Sequence, residues 1–293
     1  MYKKSVVFLS ILLITALSLS ACNTINEVEK NKDHYLSKIY HVVDKGEGDL
    51  ENGVLSYETK SAIETNVEQS LEMEIDNEIV DLQYSETQYF AIRRKKAHLY
   101  LVDGDSNKEV LIEEDGSVRA IFYKFSKIEI SEKSTPDEVL PLLESKIGKF
   151  FNISDYEYLD KPDYHPDRSD FGSYRFRYYN AVDGYITENV NVSVNHKGEI
   201  YGLTIFRFDS DITELNIDKE LESDLIELKL KNMPQQDDRT YKSYDIHFTP
   251  VLVMYNDEVY VEYYVAPKYI KSGEDYSGYL EILLIPLEFM QVK

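Results

Sequence analysis

The chain has 293 residues, with 54 Asp and Glu against 32 Lys and Arg, for a formal charge of −22. That balance excludes nucleic acid as a ligand and peripheral binding to anionic lipid, both of which need clustered Lys and Arg. A single cysteine excludes an intramolecular disulfide, so stability must come from a hydrophobic core; 25 tyrosines and no tryptophan tilt that core toward sheet.

Lys3 and Lys4 precede an apolar run, Val6 to Leu19, that ends in Ser20-Ala21-Cys22. A positive start, a short apolar core and small residues before a cut are the marks of an export signal. The run is shorter than the roughly 20 apolar residues that a membrane span needs. Leu19-Ser20-Ala21-Cys22 resembles the lipobox of bacterial lipoproteins. That resemblance implies that residues 1–21 are a signal peptide and that Cys22 carries a diacylglyceryl group as the new N-terminus. The protein is then expected at the cell membrane, lipid-anchored on its extracytoplasmic face. Residues 22–56 read as a lipid-proximal tether, polar from Asn23 to Asp33. Tyr35, Ile39 and Val42 predict a short helix over His34 to Val43.

Ile63, Val67 and Leu71, four apart, predict an amphipathic helix over Thr59 to Met73. From Glu78 the period changes to two, and short strands follow as far as Phe125. Asp103-Gly104 and Asp115-Gly116 supply hairpin turns. Thr135-Pro136-Asp137-Glu138 is a helix start, with a capping residue, proline at the first position and a capping-box glutamate. Pro141 interrupts that helix. Tyr174 to Tyr179, Glu188 to Asn195 and Ile200 to Phe208 alternate cleanly around Asp183-Gly184 and Lys197-Gly198, which predicts a three-stranded meander. Ile217, Leu221, Leu225 and Leu228 mark another helix, stopped by Pro234. Strands over Ser243 to Met254, Val259 to Val265 and Tyr279 to Leu287 complete the chain. The order helix, strands, helix, strands predicts an α+β fold of repeated modules. Each would be an antiparallel β-meander packed by one amphipathic helix, over residues 57–130, 131–210 and 211–293.

The aromatic strand at Tyr174, the Val182-Asp183-Gly184-Tyr185 turn, the valine-alternating strand and Asn195-His196-Lys197-Gly198-Glu199-Ile200 together resemble a PepSY-type module. Such modules occur in secreted-peptidase propeptides and in exported proteins of low-GC Gram-positive bacteria. The resemblance covers Thr135 to Phe208, and Asn216 to Phe289 in outline. It implies binding or inhibition of an exported peptidase, or regulation outside the membrane, and brings no catalytic residue with it.

Asp103, Asp105, Asn107 and Glu114 fall at positions 1, 3, 5 and 12 of a calcium loop, but Lys108 stands where that loop needs glycine, so a hairpin turn is expected there. Asp160, Asp163, His165, Asp167 and Asp170 crowd a second loop without diagnostic ligand spacing. No cofactor motif, nucleophile elbow or paired-histidine helix occurs, and no enzyme is expected; a serine-histidine-acid site scattered along the chain is the remaining route to a hydrolase. Tyr174, Tyr178, Tyr201, Tyr255, Tyr260 and Tyr263 could line a face for a peptide or glycan, or pack across strands. The reading is a lipid-anchored binding or regulatory protein that engages an envelope protein or peptide by a sheet edge or a tyrosine face. The alternative is a solute- or glycan-binding lipoprotein serving a transporter or sensor.

Overall fold

In a computed structural model, residues 28–43, 53–56, 59–90, 92, 96–131, 134–160, 173–208, 212–233 and 239–292 are described. Cys22 and most of the second acidic loop lie outside these residues. Strand accounts for 52% of the described residues and helix for 19%. The chain forms two compact units, the first from Met1–Tyr57, Thr213–Leu252 and Asp257–Lys293, the second from Glu58–Ile212 and Val253–Asn256.

Among the described residues the first unit opens with helical residues 28–30, helix α1 (Lys32–Lys38) and strands β1 (Tyr40–Val43) and β2 (Val54–Ser56). The expected helix over His34 to Val43 therefore ends at Lys38, and Val42 is buried from a strand. The expected tether is folded from Val28 onward, because that side chain is buried.

The second unit follows. Strands β3 (Thr59–Ala62) and β4 (Ser70–Ile75) both pair with β5 (Glu78–Phe90), which pairs with β6 (Lys96–Val102). Strands β7 (Glu109–Glu113), β8 (Val118–Ile121) and β9 (Ser126–Lys127) come next, then helix α2 (Pro136–Ile147). Strands β10 (Tyr158–Asp160), β11 (Ser173–Val182), β12 (Tyr185–Asn195) and β13 (Glu199–Arg207) follow. Both β8 and β9 pair antiparallel with β13, so the expected boundary near residue 130 does not exist. One core joins Leu82 and Tyr100, Val139, Leu143 and Ile147 of α2, and Tyr174, Phe176 and Val192. A single helix thus serves a sheet made from two of the expected modules. At Gly198 a β-carbon would overlap the Ile128 carbonyl oxygen; the tight approach lets Ile128 N–H bond the Gly198 carbonyl at 2.9 Å.

The first unit resumes with helix α3 (Lys219–Asn232), β14 (Thr240–Ile246), the first two residues of β15 (Val251–Tyr255), whose remainder belongs to the second unit, then β16 (Glu258–Lys271), β17 (Glu274–Ser277), β18 (Glu281–Pro286) and the short helix α4 (Leu287–Met290). Asp218 caps α3 by accepting the Glu220 and Leu221 N–H groups at 3.0 and 3.1 Å. Strand β16 pairs with β14, β17 and β18; β18 pairs with β1, and β1 runs parallel to β2. The C-terminal part is therefore not a copy of the preceding one. Its sheet is mixed and is completed by N-terminal strands.

These pairings overturn the expected repeat of helix-packed meanders. The first of its helices is absent altogether: Thr59 to Met73 contains β3 and β4. Ile63, placed on the expected helical stripe, is 81% exposed, whereas Leu71, Met73 and Ile75 alternate toward the core. The two-residue period of the second half of that segment, backed by pairing with β5, prevails over the four-residue spacing of the first. Helix α2 continues through Pro141, its first turn secured by Pro136 and by the Glu138 carboxylate, which accepts the Thr135 N–H at 2.8 Å.

Candidate interaction surface

Strand β4 lies at one margin of the second unit's sheet. Asp76 and Asn77 turn it into β5 with φ values of 52° and 65°, a left-handed pair that matches the twist of a two-residue hairpin. The register runs unbroken from Ser70↔Gln83 to Ile75↔Glu78. Ile75 and Glu78 flank the turn and exchange hydrogen bonds, so alternate residues Glu74, Glu72 and Ser70 aim their N–H and C=O groups outward. Among the described residues no strand pairs with that outer edge.

Side chains on β4 divide by face. Leu71, Met73 and Ile75 turn to the core, while Glu72 and Glu74 are exposed. Glu72 stands directly opposite Asp81, and Glu74 opposite Ile79, which is 73% exposed. Like charges directly opposite across a strand pair destabilise it. Among the described residues Glu72, Glu74 and Asp81 form no ion pair.

The turn is held from below. Lys146 of α2 donates to Asp76 Oδ1 at 2.9 Å. Burial pushes the Asp76 carboxyl up, but the bond and charge of Lys146, together with Ser126 and Lys149, outweigh it and keep it below the usual carboxylate range. Behind β4, a polar network fixes the segment between β3 and β4. Tyr84 hydroxyl accepts the Glu64 N–H at 2.9 Å and lies 2.9 Å from Thr87 Oγ1, which lies 2.9 Å from His98 Nδ1. Tyr89 hydroxyl donates to Glu64 Oε1, and Lys96 reaches Glu64 at 3.5 Å and Glu114 at 2.8 Å. The Thr87–His98 pair has the spacing of a nucleophile and its base, but Thr87 is completely buried, so no substrate reaches its hydroxyl. The network positions backbone; nothing in it is arranged for catalysis.

The residues singled out in the sequence are placed differently. Tyr174 and Tyr178 are buried in the second unit, their hydroxyls bonded to the Ser134 carbonyl and, at 3.3 Å, to Glu144. Burial, with Glu144 beside it, pushes the Tyr178 phenol well above its usual range. Tyr260 and Tyr263 are buried in the first unit, where Tyr263 donates to Glu222 at 2.6 Å. Tyr201 and Tyr255 are half-buried. These six do not form an exposed face: four are buried and two half-buried, and in a chain without tryptophan the phenol ring fills core volume while its hydroxyl keeps a polar partner. Asp103, Asp105 and Asn107 form a hairpin turn in which Asp105 accepts from the Asn107 N–H at 3.0 Å and its side chain at 3.1 Å. Glu114 is paired with Lys96. Among the described residues no group of three or more His, Cys, Asp or Glu is placed to hold a metal ion.

The β4 edge was missed in the sequence because its first half reads as helix; the signal that could have found it is the Asp76-Asn77 turn, with Leu71, Met73 and Ile75 alternating before it. No family model and no curated protein matches the chain. Among solved structures, the Pseudomonas aeruginosa MucA/MucB complex aligns over 76% of this chain and 89% of its own, at 9% identity and a TM-score of 0.12, a likeness too slight to bear on fold or function.

Proposed function

We propose that this is a lipid-anchored extracytoplasmic binding protein that engages an extended segment of an envelope protein by strand addition at β4. The observation that carries the reading is an edge in unbroken register, unpaired among the described residues, with outward backbone groups on Glu72 and Glu74 and, again among the described residues, acids that form no ion pair. An incoming strand would gain ladder hydrogen bonds from the backbone, and Lys or Arg at alternate positions would relieve the repulsion between Glu72 and Asp81. The recognised segment is therefore extended and basic on one face. The lipobox-like Leu19-Ser20-Ala21-Cys22 supports the anchor. The PepSY-type reading, with its exported peptidase as partner, keeps the support of α2 followed by the β11–β13 meander.

A photo-crosslinking residue at Glu74 in intact cells tests it. A discrete adduct is expected, absent when the crosslinker replaces Lys242 on β14, and lost in Glu72→Pro, which removes an outward N–H without touching the bonds to β5. Equal adducts at both positions, or none at Glu74, would overturn strand addition. Fatty-acid labelling that misses the protein would overturn the anchor.

A further inference from the structure

Val28 is 5% exposed and lies in a shallow groove walled by Asp224, Glu227, Leu228 and Lys231 of α3. The helix that follows is fastened in the same unit. His34 and Tyr35 pack on Phe289 with ring centres 5.4 and 5.0 Å apart, and Lys38 reaches Glu258 at 3.5 Å and Glu288 at 3.3 Å. The chain thus joins the folded body at this face of α3. Cys22 precedes Val28 by six residues, and six residues fully extended span at most about 22 Å.

We propose that the face of the first unit formed by Val28, Glu29, Asp224, Glu227 and Lys231 is held against the phospholipid headgroups, within about 22 Å of the lipid-bearing residue. The inference rests on the lipid anchor at Cys22. The face is not electrostatically drawn there: Glu29, Asp224 and Glu227 outnumber Lys231, and repulsion from an anionic bilayer decays over about 8 Å at physiological ionic strength. The short connection holds it in place instead, since two or three acyl chains on one residue make a stable anchor. A globular partner has no room in that gap: a domain of about 100 residues has a radius of gyration near 13 Å and is wider than 22 Å. This face of α3 therefore belongs to the membrane, and protein recognition falls to other surfaces.

The absence of tryptophan supplies the test. Lys231→Trp, or Glu227→Trp should the first not fold, gives a single donor on this face. The chain is purified from membranes with its native modification and reconstituted into phosphatidylcholine vesicles carrying a dansyl headgroup acceptor. Strong energy transfer is expected, falling at least about twofold when a flexible spacer of about 20 Gly and Ser residues, with a mean reach of about 25 Å, is inserted before Val28. Transfer that the spacer leaves unchanged, or weak transfer from vesicle-bound protein without the spacer, would overturn the apposition while leaving the anchor intact. An unmodified Cys22 by mass spectrometry would remove the anchor and the apposition together.

Discussion

Among the described residues, strand β14 in the first unit and strand β4 in the second each pair on one side, yet their other sides are built differently. The register of β14 with β16 shifts between Tyr241 and Ser243, leaving Lys242 as the extra residue, and Lys242 reaches across to Asp275 on β17 at 2.8 Å. A bulge and a lysine are the ordinary devices that keep an edge from adding another strand. Strand β4 has neither, nor a proline, and its repelling acids are of one sign. The difference teaches that an unpaired edge is not in itself a binding surface; what marks β4 is the lack of protection together with a charge that a partner could neutralise.

The units also fasten their helices by opposite means, and that contrast yields measurable differences. The largest effect is expected from the core under β4. Leu82 is fully buried opposite Leu71, and Leu82→Ala should cost about 2–5 kcal/mol by urea unfolding and abolish the Glu74 adduct with it. Next comes the first unit's Lys229. It is buried, donates to the Gly53 carbonyl at 2.9 Å, and burial lowers its amine to about 8 from 10.5. Between those values the unfolded chain holds more protons, so stability should rise with pH from 8 toward 10, before buried tyrosines begin to oppose it. Below pH 8 the burial penalty is complete. Lys229→Met should remove that rise and stabilise the protein at pH 7 by about 1–3 kcal/mol, allowing for the lost bond to Gly53. A flat stability profile in the unsubstituted protein over this window would contradict the buried charge.

The second unit's fastening is an ion pair near the surface, and its effect should be smaller. Lys146→Ala should cost about 1 kcal/mol, screened because both partners are partly exposed. Asp76 titrates below its unfolded value of 3.8, so the pair's contribution is whole above that pH and is lost as pH falls through the folded value. Lys146→Ala should weaken that loss in an acid titration followed by circular dichroism. The smallest effect on stability is the one most specific to the edge. Glu72→Lys replaces repulsion with attraction toward Asp81 and should stabilise by about 0.2–1 kcal/mol, yet suppress the crosslink to a basic segment. Lower stability in Glu72→Lys would show that the facing acids are not in conflict.

Much of the local structure was legible in the residues. Asp103-Gly104 and Asp183-Gly184 take positive φ in the turns where the sequence puts them. The Thr135-Pro136 helix start and the Leu225-Leu228 helix also lie where their caps and periodicity indicate. The candidate surface was not legible. Glu72 and Glu74 on a strand or on a helix are equally ordinary solvated residues, and their repulsion exists only once Asp81 stands opposite. The tyrosines misled for a related reason: alternation tells that two faces differ, not which face is covered.

Turns, caps and the two longer helices are fixed within a few residues of chain, because left-handed backbone, missing proline N–H groups and capping carboxylates act locally. The sequence determined those, together with the acidity and the lack of a disulfide. Only the tertiary structure decided that β8 and β9 extend the sheet beyond β13, that β1 and β2 complete the C-terminal sheet, and that β4 is left with an open side. Strand pairing joins residues far apart in the chain through backbone groups common to all of them, so its partners are selected by mutual burial of whole faces, which no local pattern encodes.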